Sequence, residues 1–195
     1  FVGRFVDKVG TKKGYAWAIG IWSLGACLHA LCGVAAEYAT GLNSTEQLLT
    51  ASAALIPTIT SVSMAGFIIS RLVLAVGEAG NFPAAVKATA EYFPKRDRSF
   101  ATGIFNSGSN VGAILAPLSV PIIADRWGWE LAFLIVGALG FLWLIFWLLL
   151  YKSPEDNPKV NAAELAYINQ DLEDEEDAGK ESSGNGKSIS FWGCF

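Results

Sequence analysis

The chain has 195 residues, of which 52% are hydrophobic and only 16% charged, well below the roughly 25% charge of an average soluble domain. The formal charge is −4, with most of the acid in one stretch, 164–181, so no basic excess points to a nucleic-acid partner. Three cysteines, Cys27, Cys32 and Cys194, make no disulfide framework, and two of them sit in apolar sequence where a small polarizable side chain is ordinary filler.

The apolar residues are clustered. A bilayer core about 30 Å thick is crossed by roughly 20 apolar helical residues, and three runs meet that length without Asp, Glu, Lys or Arg: 15–36, 100–124 and 131–151. The expected class is therefore an all-α integral membrane protein, with the lipid bilayer as its first partner.

The chain opens on GRFVDKVGTKK, residues 3–13, which is short, basic and punctuated by glycine. It reads as a tight loop ahead of the first span, 15–36. The next stretch, 37–61, is an insert of less regular character. Ser44 with Gln47 has the spacing of a capping box and predicts a short helix through Leu55.

The second span has two placements, 48–70 or 62–86. In the first, Arg71 is a flanking residue that snorkels to the interface and Glu78 lies in water. In the second, both charges lie within about 6 Å of the midpoint of the span at 1.5 Å per residue. Seven residues is nearly two helical turns, so both then face the same way, on a stripe with Ala75 and Phe82. Pro57 disfavours an uninterrupted helix over 48–70 and favours the second placement.

The third and fourth spans, 100–124 and 131–151, are separated by the six residues DRWGWE, which predicts antiparallel neighbours. After 152 the sequence turns polar. SPEDNP has turn chemistry, Asn161 with Glu164 reads as another cap, and a short helix is expected over 162–173. DLEDEEDAGKESSGNGKS, residues 171–188, then has the composition of an acidic disordered stretch, and 152–190 as a whole reads as a cytoplasmic linker. The chain begins without Met and stops at SFWGCF, 191–195, where a new apolar stretch starts, so an internal fragment of a longer polypeptide is expected.

Lysine and arginine counts set the orientation. Four precede the first span (Arg4, Lys8, Lys12, Lys13), three follow the second (Lys95, Arg96, Arg98), and 37–61 has none. The positive-inside rule places 1–14, 94–99 and the acidic segment in the cytoplasm. Four spans return the chain to its starting side, so both ends of the chain are expected there, in a multi-pass protein of the inner or plasma membrane.

Charge at mid-depth costs at least about 2.5–3.5 kcal/mol, so Arg71 and Glu78 demand a reason. Arg71 stays protonated and forks onto a carboxylate. Glu78, in an apolar wall, takes up a proton more readily than in water. An arginine that holds an anion beside a carboxyl that exchanges a proton is the minimum kit for proton-coupled anion transport. The competing reading is a purely structural ion pair. On the third span Asn106, Ser109, Asn110 and Ala113 fall at i, i+3, i+4 and i+7 with Pro117 a turn further. This polar stripe suits sugar hydroxyls as well as helix–helix hydrogen bonds. The first and fourth spans have no such stripe and read as outer scaffold facing lipid, with His29 as a packing residue. Lys87 and Glu91, one turn apart, have the spacing of a local pair, and Glu91 could instead reach the basic segment 4–13. The sequence has no metal cluster, nucleophile–base pair or phosphate loop, so neither an enzyme nor a cofactor is expected, and the coupling ion expected from Glu78 is the proton.

Residues 3–13 match the pattern G-x-x-x-D-[RK]-x-G-x-[RK]-[RK], and the chain resembles the major facilitator superfamily, in which this loop joins the second and third of twelve membrane helices. The resemblance implies a partial helical bundle: spans three to six of the amino-terminal half, followed by the central loop. GEAGNFPAAVKATAEYFPKRDRSFATGIFNSGSNVGAILAP, WGWELAF and FWLLLYKSP are similar to hexuronate transporters of the anion:cation symporter branch.

That likeness implies an Arg-x6-Glu serving substrate and proton, at Arg71 and Glu78, and a substrate-contacting polar residue at Ser109. It further implies a gating segment of Gly3, Asp7, Lys8, Gly10, Lys12, Lys13 and Glu91. The ligand it implies is a small anionic sugar acid such as glucuronate or galacturonate, moved by alternating access in a full-length monomer. Other organic anions, an aldonate or aldarate, stay open as substrates, and so does a non-transporting membrane sensor.

Overall fold

The computed structural model describes residues 2–170. The acidic linker beyond 170 and the apolar start at 191–195 lie outside the described residues. Among the described residues the helices follow in the order α1 (Val2–Val9), α2 (Thr11–Thr40), α3 (Thr45–Leu49), α4 (Ile56–Tyr92), α5 (Lys95–Trp127) and α6 (Trp129–Leu150), with a further helical stretch over 162–170. Four of them, α2, α4, α5 and α6, are long and apolar enough to cross a membrane. The chain falls into two compact units, Phe1–Ala88 with Ile104–Tyr151, and Thr89–Gly103 with Lys152–Phe195.

In the first unit the signature segment is a helix where a tight loop was expected. Val2–Val9 makes two turns and ends at Gly10. The Gly10 amide donates to the Val6 carbonyl (3.0 Å) and its own carbonyl opens the next helix by accepting from Gly14 (2.8 Å). Its φ is +86°, a conformation that only glycine adopts without a Cβ penalty, so the second glycine of the signature is a joint between two helices. Val6, 2% exposed, packs over Gly14, whose missing Cβ leaves the room: an added one would lie 3.1 Å from the Val6 backbone.

The insert 37–61 is partly ordered as read. Ser44 caps α3, accepting from the Gln47 amide (3.3 Å), while the Gln47 side-chain oxygen accepts from the Asn43 amide (2.9 Å). That helix ends at Leu49, sooner than the expected Leu55, and residues 50–55 break the chain before α4 begins at Ile56 with Pro57 in its first turn. Proline there lacks an N–H that the helix start would not use. The placement 48–70 is thus interrupted, and 62–86 lies inside one continuous helix.

α2 packs against two neighbours in this unit and keeps Trp17, Leu24, Leu31 and Val34 exposed. Its buried residues include Ala18, Ser23, Ala26, His29, Ala30 and Ala36. The physical reason is small side chains, which let two neighbours come close. On one side, a Cβ on Gly25 would meet the Leu74 backbone at 2.6 Å and one on Gly77 would meet the Trp22 amide nitrogen at 2.3 Å. On the other, a Cβ on Gly137 would lie 2.3 Å from the Cys27 sulfur and one on Gly140 2.1 Å from the Ser23 hydroxyl. α4 and α6 therefore both lie against α2 at backbone distance. Gly77→Ala should push α2 and α4 apart at a cost of about 1–3 kcal/mol, read as a lowered melting temperature of the full-length protein in detergent. An unchanged transition would mean that this contact does not form.

His29 is fully buried. Its ring stacks on Phe133 (centroids 4.9 Å) and meets Phe67 edge-on (5.8 Å). Nδ1 lies 2.6 Å from the Gly25 carbonyl, the N–H of that nitrogen donating to it. Trp147 ties the far end of α6 to the start of α2, its indole N–H donating to the Lys12 carbonyl at 3.0 Å. The expected six-residue turn between α5 and α6 contracts to one residue, Gly128, with φ +92°.

In the second unit the end of α4 is capped by Arg98, whose Nε donates to the Phe93 carbonyl (3.0 Å) and Nη2 to that of Ala90 (3.2 Å). A guanidinium is well suited to the orphan carbonyls of a helix C-terminus. The polar segment folds against this turn. The Tyr92 hydroxyl donates to the Lys152 carbonyl, Asn157 donates to the same hydroxyl (3.3 Å), and Tyr167 donates to Asp97 Oδ2 (2.5 Å). Asn161 and Glu164 form the reciprocal cap: the Glu164 amide donates to Asn161 Oδ1 (2.8 Å) and the Asn161 amide to Glu164 Oε2 (3.1 Å). Helix then runs over 162–170.

Candidate functional site

The packed side of α4 is built from Ser70, Gly77, Gly80 and Ala84, all buried. Helical geometry puts residues 71, 75, 78 and 82 on an adjoining stripe, and Arg71, Ala75, Glu78 and Phe82 are indeed all exposed within this chain. No turn is broken between the two charges. They are separated by seven residues, about 10 Å along the axis. Among the described residues neither side chain makes a hydrogen bond or an ion pair, so the structural pair weighed from sequence does not form within this chain. Both groups are left to face whatever borders this side of α4.

The polar stripe of α5 is exposed as well: Asn106, Ser109 and Asn110. The Ser109 hydroxyl donates to the Asn106 carbonyl one turn back at 2.6 Å, which leaves its oxygen free to accept. The level of this stripe follows from one contact. Phe82 and Phe105 meet with ring centroids 6.1 Å apart. Phe82 lies ten residues before the end of α4 and Phe105 ten after the start of α5, so the two helices run in opposite directions and pair in that register. Glu78 is four residues before Phe82 and Ser109 four after Phe105. Both are therefore about 6 Å further along, at one level. The same register on α2, where Gly77 meets Trp22 and Gly25 meets Leu74, puts Arg71 nearly two turns deeper, at the level of Leu28 and His29.

The residues of the gating segment lie apart from this stripe. Gly3 lies in the first turn of α1 and Gly10 follows its end, while Asp7, Lys8 and Lys13 are exposed and Lys12 is half-buried. Asp7 pairs with Lys87 of α4, Nζ to Oδ1 at 2.9 Å, and the same ammonium donates to the Val6 carbonyl at 3.4 Å. Lys87 was weighed from sequence only as a local partner of Glu91. Its role as the partner of Asp7 was missed, since 80 residues separate the two and no periodicity encodes such a contact. With Asp7 largely exposed, this pair is worth at most about 1 kcal/mol. Glu91 belongs to the second unit, half-buried beside Arg98 and Glu155 in the wall of a shallow pocket.

Comparison with known proteins agrees with this architecture. The family profile of the Major Facilitator Superfamily matches residues 1–182. The chain is 33% identical over 190 residues, 97% of its length, to the galacturonate transporter of Dickeya chrysanthemi. It is 33% identical over 166 residues to the hexuronate transporter of Escherichia coli K12, covering 85% of this chain, and 28% identical over 169 residues to a probable galactarate/D-glucarate transporter of the same organism, covering 86%. It spans 45%, 32% and 33% of the lengths of these relatives. These names also agree with a chain that is not an enzyme. With four membrane-length helices, small-residue contacts between them and a family match over most of its residues, the chain belongs to the Major Facilitator Superfamily as part of a multi-pass membrane protein.

Proposed function

We propose that the protein carrying this chain is a secondary transporter that couples protons to the uptake of an anionic sugar acid, a hexuronate in the first instance, by alternating access. The observation that carries the reading is the placement of Arg71 and Glu78 on one unpaired stripe of α4, with the hydroxyl and amides of α5 at the level of Glu78. Arg71 offers the fork that a carboxylate needs. Asn106, Ser109 and Asn110 offer donors and acceptors for sugar hydroxyls. Glu78 takes up and releases the coupling proton. A rocking movement of two bundles about this level exposes the site to each side in turn, with Asp7 and its neighbours as the charged hinge of the cytosolic face. The basic segment 1–14 and the turn at 94–99 lie in the cytosol in this reading.

The relatives at 33% identity bear the names galacturonate and hexuronate transporter, while those at 28–29% bear galactarate/D-glucarate and D-galactonate. That order favours a hexuronate over an aldarate or aldonate. The test is uptake of labelled galacturonate by cells that lack their own carrier and express the full-length protein. Accumulation above the outside concentration, abolished by a protonophore, is expected. Accumulation of galactonate or galactarate with no entry of galacturonate would move the substrate to those classes. Entry of none of the three would overturn the reading.

A further inference from the structure

The proposed mechanism makes no use of an open groove between α2 and α6. The groove holds about 330 Å3, and its walls are Tyr15, Ile19 and Trp22 of α2 and Val136, Leu139 and Trp143 of α6, with Asn81 contributed by α4. Leu139 and Trp143 are more than half exposed, so the groove opens outward. Asn81 is the one amide among these residues. Its side-chain oxygen is already buried, so an apolar occupant of the groove takes no further water from it.

Helical periodicity sets Lys12, Tyr15, Ile19 and Trp22 on one stripe of α2, at i, i+3, i+7 and i+10. The groove therefore begins about 4–5 Å beyond Lys12 and runs on for about 10 Å, from Tyr15 to Trp22. α6 runs antiparallel beside it: Trp147 meets Lys12, Gly140 meets Ser23 and Gly137 meets Cys27. It lines the same depth from Trp143 to Val136.

An aromatic collar stands at the Lys12 end. Tyr15 and Trp147 meet edge to face with centroids 4.5 Å apart, and Trp147 stacks on Tyr151 at 4.1 Å. The Trp147 indole N–H is held by the Lys12 carbonyl at 3.0 Å. Tryptophan and tyrosine gather at the headgroup level of a bilayer, where one end of the ring is apolar and the other wet. Beyond the collar come two cations, Lys12 half-buried and Lys13 exposed. Among the described residues neither ammonium has an ion-pair partner. Apolar slot, aromatic collar and cations follow one another in the order of acyl chain, ester level and phosphate along a phospholipid.

From this order we infer that the α2–α6 groove is a binding site for a phospholipid with an anionic headgroup. One acyl chain lies along Ile19, Trp22, Val136 and Leu139, and the phosphate meets Lys12 and Lys13. A membrane helix is about 10–12 Å across with its side chains, too thick for a groove of this volume, whereas one hydrocarbon chain is not. A zwitterionic headgroup brings a cation of its own towards the two lysines, which selects against it. Long lysine stems reach back from the apolar stripe to the headgroup level.

The experiment places a photoreactive benzophenone amino acid at position 139 of the full-length protein. The protein is reconstituted in vesicles of phosphatidylcholine with phosphatidylglycerol as the minor lipid, and the adducts are identified by mass. Phosphatidylglycerol should be enriched among them over its share of the vesicle by about fivefold or more, the attraction expected of one lysine at an anionic surface. Lys12→Gln with Lys13→Gln should return the adducts to the vesicle composition, and Lys12→Arg should keep the enrichment. The same probe at Leu148, exposed on the opposite face of α6, reports the bulk bilayer and should show none. Adducts in proportion to the vesicle lipids at position 139, or equal enrichment at 139 and 148, would overturn the site. Adducts to another segment of the full-length chain or to a second copy would show the groove covered by protein and overturn it as well.

Discussion

Arg71→Ala should abolish binding of the sugar acid while leaving the fold intact. Within this chain the guanidinium makes no hydrogen bond or ion pair among the described residues, so its removal breaks no contact that holds α4 against α2. A charged residue at mid-depth costs at least about 2.5–3.5 kcal/mol to insert, so alanine should if anything raise the melting temperature without ligand. In the proposed function, what alanine removes is the fork for the substrate carboxylate. A charge-assisted hydrogen bond contributes about 1.5–3 kcal/mol, and a two-pronged pair sealed from water more, so affinity should fall at least 10–100-fold at about 1.4 kcal/mol per factor of ten. Arg71→Lys should keep the charge but lose the planar fork, and fall between the two. The measurement is the shift in thermal unfolding on adding galacturonate to the full-length protein. The wild type should shift and Arg71→Ala should not. A variant that melts earlier without ligand yet still shifts with it would assign Arg71 to structure.

The arrangement that motivates this expectation could be anticipated only in part from sequence. The spans could be read because a membrane asks for length and apolarity, and 15–36, 100–124 and 131–151 satisfy both without interruption. The stripe of Arg71 and Glu78 could be read because charge in such a run is conspicuous and seven residues bring both to one face. Which face of α2 packs on α4 and α6 could not be read from periodicity. When every face of a helix is apolar, nothing in the pattern distinguishes a face on lipid from one on protein. The usable signal was size: Gly25, Gly77, Gly137 and Gly140 mark where backbones touch. α1 was missed for a different reason. Two turns bounded by glycines are too short for a periodic signal, and the φ of +86° at Gly10 that makes the joint is a property of the folded chain. The pair of Asp7 with Lys87, and the level shared by Glu78 and Ser109, depend on tertiary contact between helices, which local spacing does not carry.

The second large effect expected is the loss of concentrative uptake in Glu78→Gln with exchange retained. Glutamine matches glutamate in size and keeps an acceptor oxygen, so the stripe loses its exchangeable proton and little else. A gradient of one pH unit supplies about 1.4 kcal/mol per proton, enough for a tenfold accumulation if one proton moves with each substrate and no membrane potential contributes. Without a group that binds the proton on one side and releases it on the other, that energy has no path into the cycle. The inside-to-outside ratio should fall to one whatever the gradient. Exchange of labelled for unlabelled substrate needs only the occupied site to reorient, and it should persist near the wild-type rate. Glu78→Asp keeps the carboxyl on a shorter arm and should retain accumulation at a reduced rate. The same logic separates Glu78 from Arg71: loss at Arg71 should silence both uptake and exchange, while loss at Glu78 should silence only the first. Accumulation at the wild-type level in Glu78→Gln would place the proton on another residue, and equal loss of both activities would make Glu78 part of the substrate site instead of its coupling.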